Sequence, residues 1–153
     1  MKQLILTLIL VTLSAPICFG EWSGVTEGED ENTYYVDFER IKERRGYVYY
    51  WYLTDYPKPN KDGWMSTERY WQGDCDPLRF KTINSIGYKE PMGEGLSGSK
   101  TEPAKNWIYP PPDSVYEGIL KRVCRYVKLS EEDRKDFLEF WKEFWKGGSG
   151  IRP

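Results

Sequence analysis

The sequence contains no histidine. That absence removes Ser-His-Asp and Cys-His mechanisms, every His-containing zinc site, and the commonest general base near neutral pH. Cysteine is sparse, with three residues in the chain. Neither sign of charge dominates: 22 Lys+Arg stand against 24 Asp+Glu. A general nucleic-acid binder carries a basic patch and a high pI, so nucleic acid is not an expected partner. Beyond the N-terminus there is no apolar run approaching the roughly 20 residues that span a bilayer.

What is present begins with "MKQLILTLILVTLSAPICFGEW". Lys2 precedes an apolar run over 4–13, followed by Ser14, Ala15, Pro16 and a short stretch to Gly20. This is the layout of a secretory signal peptide, with cleavage expected after Gly20. Cys18 is preceded by Pro16 and Ile17, which do not suit lipoprotein processing, so membrane anchoring is not expected. The mature chain is one domain's worth. It is expected to be exported, periplasmic or secreted, with the cell surface as a further location.

Loss of residues 1–20 leaves Cys75 and Cys124. Two thiols in an oxidising compartment point to a disulfide. Cys75 sits between Asp74 and Asp76, which raises two other readings, a reactive thiol and a metal site. A reactive thiol needs a lowered pKa, and two neighbouring carboxylates push it up. The aspartates also lack the dense run of oxygen ligands that a calcium loop carries. They read better as turn residues whose carboxylates accept backbone N–H bonds. No metal and no cofactor is expected. "SGSK", over 97–100, matches Ser-x-x-Lys but lies among Gly95, Gly98 and Ser99, in a loop rather than on a helix. A glycosidase needs only two carboxylates, yet no spacing singles out a pair. No catalytic residue is assigned, and the chain is read as non-enzymatic.

Periodicity organises the rest. "TYYVDFERI" alternates as a strand. "GYVYYWYLTDY" puts Tyr47, Tyr49, Trp51 and Leu53 on one face and Val48, Tyr50 and Tyr52 on the other. Both faces are bulky, so this is a central strand, covered on both sides or exposed at an interface. "KERRGY" between the two reads as a short hairpin-like turn. "YPKPNKDGW" is loop punctuation. "MSTERYW" reads as a strand broken by Gly73, and "PLRFKTINSIGY" as a further strand. Residues 89–106 read as a mobile surface loop. Ser114 and Glu117 form a capping box for a helix that carries Tyr116, Ile119, Leu120, Val123 and Val127 on one face, with Cys124 on the buried side. Ser130 and Asp133 start a second helix, ended by Gly147-Gly148. A disulfide between Cys75 and Cys124 therefore pins helix to sheet.

The order of an early tryptophan, "YYVDFERI", "YYWYLTDY", "GDC", a basic strand, a Gly-rich loop and "WIYPPPDSVYEGILKRVC" resembles the bacterial surface-adhesin protein E-like family. The resemblance covers about Trp22 to Cys124. It implies a strongly bent antiparallel sheet with a helix against it and the two cysteines bridged. Its best-known members are cell-surface adhesins that bind host matrix proteins and can pair as dimers. The helix over 130–146 is not part of the family core.

These readings together predict an α+β fold: a curved antiparallel sheet with a helix packed on it, an added C-terminal amphipathic helix and one disulfide. The expected division is signal peptide 1–20, adhesin-like domain 21–128, amphipathic helix 129–146 and tail 147–153. The expected function is recognition of a macromolecular partner, a protein or a glycan. A periplasmic module for a small ligand or glycan is the alternative, with a carboxylate hydrolase behind it. Tyr47, Tyr49 and Trp51 are candidate contacts, because tyrosine buries a ring while keeping a wet hydroxyl. Arg40, Arg44 and Arg45 make the neighbouring hairpin tip basic. Phe137, Trp141, Phe144 and Trp145 form the apolar face of the second helix. From Glu131 to Lys146 that helix has more acidic than basic residues, unlike helices that lie on anionic lipid. Its aromatic face is expected to dock on the sheet or across the two-fold axis of a homodimer.

Overall fold

The computed structural model of the protein describes residues 22–100 and 103–146. The expected signal peptide with Cys18, and the tail 147–153, lie outside the described residues. Seven strands form one open antiparallel sheet: β1 (Ser23–Glu27), β2 (Thr33–Val36), β3 (Lys42–Arg44), β4 (Tyr47–Asp55), β5 (Ser66–Cys75), β6 (Leu78–Tyr88) and β7 (Ser97–Lys100). Their order is β1-β2-β4-β5-β6-β7, with β3 also paired to β4. Two helices follow, α1 (Val115–Val127) and α2 (Glu131–Lys146).

The alternation over "TYYVDFERI" holds only to Val36. The fully buried Asp37 interrupts it by turning its carboxylate onto the backbone N–H and the guanidinium of Arg40. The chain then rejoins β4 as β3, with Lys42 opposite Tyr49 and Arg44 opposite Tyr47. The stretch read as a turn is thus mostly strand. The turn itself is Arg45-Gly46, both at positive φ (52° and 82°), as a tight hairpin between right-twisted strands requires.

The helix-covered face carries Val48, Tyr50 and Tyr52 of β4, Trp71 of β5 and Phe80 of β6, against Ile119, Leu120 and Val123 of α1. These three aliphatic side chains are fully removed from water, worth about 1.5–3 kcal/mol each in transfer terms. The helix starts where expected, with Ser114 Oγ accepting the Glu117 N–H at 3.2 Å. Glu117 itself reaches back to the Asp113 N–H at 2.9 Å. Cys124 and Cys75 are bonded, with their Cα atoms 5.7 Å apart. The bridge ties α1 to the end of β5.

Two further expectations are corrected. Gly73 does not break β5, which runs on to Cys75. It is glycine because α1 comes down on it: a Cβ there would lie 2.8 Å from Leu120 Cδ1 and 2.9 Å from Val48 Cγ2. Gly73→Val is therefore expected to destabilise the fold by about 1–3 kcal/mol through overpacking, measurable as a shift in urea midpoint. An unchanged midpoint would mean that α1 does not sit where described. The stretch 89–106 is not one structureless loop either. It contains a 3-10 turn at Pro91–Gly93 and the edge strand β7, paired with β6 from Ser85↔Lys100 to Tyr88↔Ser97. Its small polar residues hide a strand because an edge position buries little and leaves no apolar alternation.

Strand β1, where "SGVTE" carries almost no pattern, had no counterpart in the periodicity. Helix α2 explains it. Phe137 packs on Phe38 (centroids 5.3 Å) and Tyr126 (5.5 Å), and Trp145 lies 6.3 Å from Tyr35. A Cβ on Gly24 would fall 2.4 Å from the Trp145 ring. The helix thus crosses the β1 edge and seats Trp145 on the glycine. Trp141 and Phe144 are less engaged. Their ring contacts are with aromatics of α2 itself, and Arg122 lies over Trp141 at 5.1 Å. Phe137→Ala is accordingly expected to lower the melting temperature more than Trp141→Ala. The reverse order in a thermal scan would refute this docking.

Candidate functional site

The other face of the sheet carries no helix over its centre. Alternation along β4 sends Tyr47, Tyr49 and Trp51 there, all half-buried. Pairing brings β5 and β6 alongside: Trp51 is opposite Tyr70, Tyr49 opposite Gln72, and Gln72 opposite Lys81. Trp51 and Tyr70 stack with centroids 4.9 Å apart, and Tyr49 lies 6.3 Å from Tyr70. Burial, then the neighbouring Tyr49, raises the Tyr70 hydroxyl pKa above its ordinary value, against the pull of Arg44. The Tyr70 ring therefore presents a neutral hydroxyl at physiological pH.

Cations surround these rings. Lys42 and Arg44 of β3 share the face through their pairing with Tyr49 and Tyr47. With Tyr49, Tyr70 and Ile83 they line a shallow depression of about 200 Å³. Ile83 reaches this face because a bulge separates the Tyr70 and Trp71 registers, and a bulge re-aims side chains. At the far end Trp107 stands beside Tyr47 (5.4 Å), with Arg79 and Lys81 over its ring at 4.5 and 4.6 Å. Asp74 anchors Arg79 through contacts of 3.0 and 2.9 Å and accepts the Asp76 N–H at 3.2 Å. It is the turn carboxylate that its position suggested.

The opposite end of this face is closed. The turn at Pro91–Gly93 sits over Leu53 and Glu68, held by the Met92 N–H on Asp55 Oδ1 (2.7 Å) and the Gly93 N–H on Ser66 Oγ (3.0 Å). Burial raises the Glu68 pKa, while a bond from Tyr88 lowers it. Asp37 is near enough to Glu68 to raise its pKa slightly, so two acids do approach each other. Arg40, however, donates to both oxygens of Asp37, its backbone N–H to Oδ1 and its Nε to Oδ2, and holds that fully buried carboxylate as a structural ion pair.

The six candidate contacts therefore separate. Tyr47, Tyr49, Trp51 and Arg44 come together on the open face. Arg40 is tied to Asp37 and lies 5.6 Å over Trp22. Arg45 stays exposed at the hairpin tip. Tyr70, Lys81, Arg79 and Trp107 join the face, and sequence reasoning did not select them. The alternation of "TERYWQ" and "LRFKT" held the signal, but only strand pairing says which alternate set meets Tyr49. Among the described residues no group of three or more Cys, Asp or Glu side chains could hold a metal ion, and no helix is long and apolar enough to cross a membrane.

The fold and this face define a class: a small α+β module on one open sheet, pinned by a disulfide, with an uncovered aromatic and basic sheet surface. The chain belongs to the surface-adhesin protein E family, whose sequence model matches residues 22–125. The match ends before α2. Among solved structures the chain is similar to crystal form II of Haemophilus influenzae protein E, at 19% identity and a TM-score of 0.54 over 72% of this chain and 94% of that one. Protein E from non-typeable Haemophilus influenzae is similar at 17% identity and a TM-score of 0.53, over 78% and 88%. Likeness at these identities speaks for the fold. No curated protein matches the sequence.

Proposed function

We propose that this protein is an exported, non-enzymatic binding protein of adhesin type, which recognises a macromolecular partner through the open sheet face. The observation that carries this reading is the half-exposed ladder Tyr49–Tyr70–Trp51, flanked by Lys42, Arg44 and Lys81, on a face that α1 leaves bare. Aromatic rings and arginine are the groups that most often dominate protein interfaces. The fold is rigid here, since these side chains stand on central strands, and a preorganised surface loses little entropy on binding. The depression is shallow and open, which favours a broad macromolecular contact over capture of a small molecule in this place. The cations favour a partner with acidic groups.

The test is binding of the secreted form to an immobilised extracellular-matrix preparation, compared with a Tyr49→Ser/Tyr70→Ser/Arg44→Glu variant. Loss of hot-spot contacts worth at least about 2 kcal/mol is expected to weaken binding roughly 30-fold or more. Rising salt should weaken the wild type as well. Undiminished binding by a folded triple variant would place the contact surface elsewhere.

A further inference from the structure

We infer that the pocket beside Trp64, on the helix-bearing side of the sheet, is a binding site for a carboxylated sugar, with Arg69 receiving the carboxylate. Arg69 stands on β5 opposite Tyr52 and Ser85. The loop that leads into β5 folds back over this end of the sheet. Asn60 holds it, with Oδ1 accepting the N–H groups of Asp62 and Trp64 at 3.0 Å each. The Trp64 ring is thereby laid on Gly87 and Gly98, where added Cβ atoms would come within 2.5 and 3.0 Å of it. Lys89 Nζ lies 4.3 Å from the ring centroid and donates to Gly63 O. The resulting cavity, about 340 Å³, is lined by Asn60, Asp62, Trp64, Arg69, Ser85 and Ser99, among others.

The guanidinium is the unusual element. It is largely buried, donates to Tyr52 Oη at 3.3 Å, and also bonds Tyr56, with Tyr116 close by. Burial drives the Tyr52 pKa far above its ordinary value, so that phenol is neutral. Neutral phenols solvate a cation without cancelling its charge. Among the described residues no carboxylate pairs with Arg69, and Asp62 is exposed. A buried cation without a counter-charge is costly. An entering carboxylate supplies that counter-charge and can meet the planar fork with two bonds.

The remaining wall selects the rest of the ligand. Asn60, Ser85 and Ser99 offer polar groups to hydroxyls, and the indole offers an apolar edge to ring carbons. The volume is at the small end of ligand pockets, suited to one or two sugar rings. Inorganic phosphate would satisfy Arg69 but leave Trp64 unused. The site faces away from the aromatic ladder of β4 and stands independently of the function proposed for that surface.

The test is a titration of the ¹⁵N-labelled secreted protein, following the Trp64 Nε1–H and Arg69 Nε–H signals. The probes are methyl β-D-glucuronide, the methyl glycoside of N-acetylneuraminic acid, methyl β-D-glucoside and inorganic phosphate. At least one acidic glycoside is expected to shift both signals saturably, and which one does so identifies the sugar type. The neutral glucoside should bind at least ten-fold more weakly. Arg69→Gln should weaken the acidic sugar at least ten-fold. Ser85→Leu should abolish binding by filling the cavity, and it leaves the tyrosine contacts of Arg69 in place should Arg69→Gln fail to fold. The inference is overturned if neither acidic glycoside shifts these signals, if the neutral glucoside or phosphate does so equally, or if a folded variant binds as the wild type.

Discussion

Replacing Cys124 with alanine is expected to lower the stability of the domain by about 4 kcal/mol, the loop-closure contribution for a bridge spanning a loop of this size. The cysteines are 49 residues apart in sequence. The loop they close contains β6, β7 and most of α1, so the reduced unfolded chain gains the freedom of about a third of the molecule. The site also has a local reason to suffer. Cys124 shares its helix turn with Leu120 and Val123, which are fully buried against the sheet. Without the bridge, α1 is held to the sheet by side-chain packing. Urea unfolding of wild type and variant gives the difference, and thiol titration of unfolded, unreduced protein lacking residues 1–20 gives the chemistry. Wild type should show no free thiol and the variant one, at Cys75. Two free thiols in wild type isolated from an oxidising compartment would sink the bridge as a feature of the working protein.

Trp71→Ala is expected to cost about 3–5 kcal/mol. The ring is 2% exposed and stacks on Phe80 with centroids 3.7 Å apart. Tyr50, Tyr52 and Tyr116 meet it edge-on at 6.0, 4.4 and 5.3 Å. The indole is locked among other rings, whose flat faces refill such a space poorly. Trp71→Phe makes a sharper comparison. The Trp71 Nε1–H is buried without an acceptor among the described residues, so removing it relieves an unmet hydrogen bond while leaving a modest void. The phenylalanine variant should therefore lose much less than the alanine variant. Equal losses in the two variants would mean that the indole nitrogen finds a partner in solution.

Much of this architecture was legible in local pattern. The strand over 47–55 announced itself by alternation of bulky residues. Both helices announced themselves by a serine with an acidic residue three positions later. In each case the structure shows the serine hydroxyl accepting the backbone N–H of that third residue. These signals are local because they rest on side-chain periodicity and on hydrogen bonds spanning one turn. The pairing of Cys75 with Cys124 was equally readable, since only two thiols remain after the expected cleavage.

What local pattern left open was every choice between two equivalent faces or neighbours. Period-two alternation sorts Tyr47, Tyr49 and Trp51 from Val48, Tyr50 and Tyr52, but both sets are large and aromatic, so nothing local says which set α1 covers. Gly73 carries the same ambiguity: as a glycine within a strand it reads as a break, and only the approach of Leu120 turns it into a packing requirement. Gly24 does the same for Trp145, and Gly87 and Gly98 for Trp64. In each case the absent side chain has meaning only through a ring or methyl group brought from elsewhere in the chain. The grouping of Tyr70, Lys81 and Trp107 with Tyr49, and the setting of Arg69 among three tyrosines, arise the same way. Local pattern was enough for the central strand, the helix caps, the covalent staple and the supply of aromatic and basic residues. Which of those residues stay wet, and which cation is set among phenols, depends on strand register and helix placement, set by contacts between distant segments.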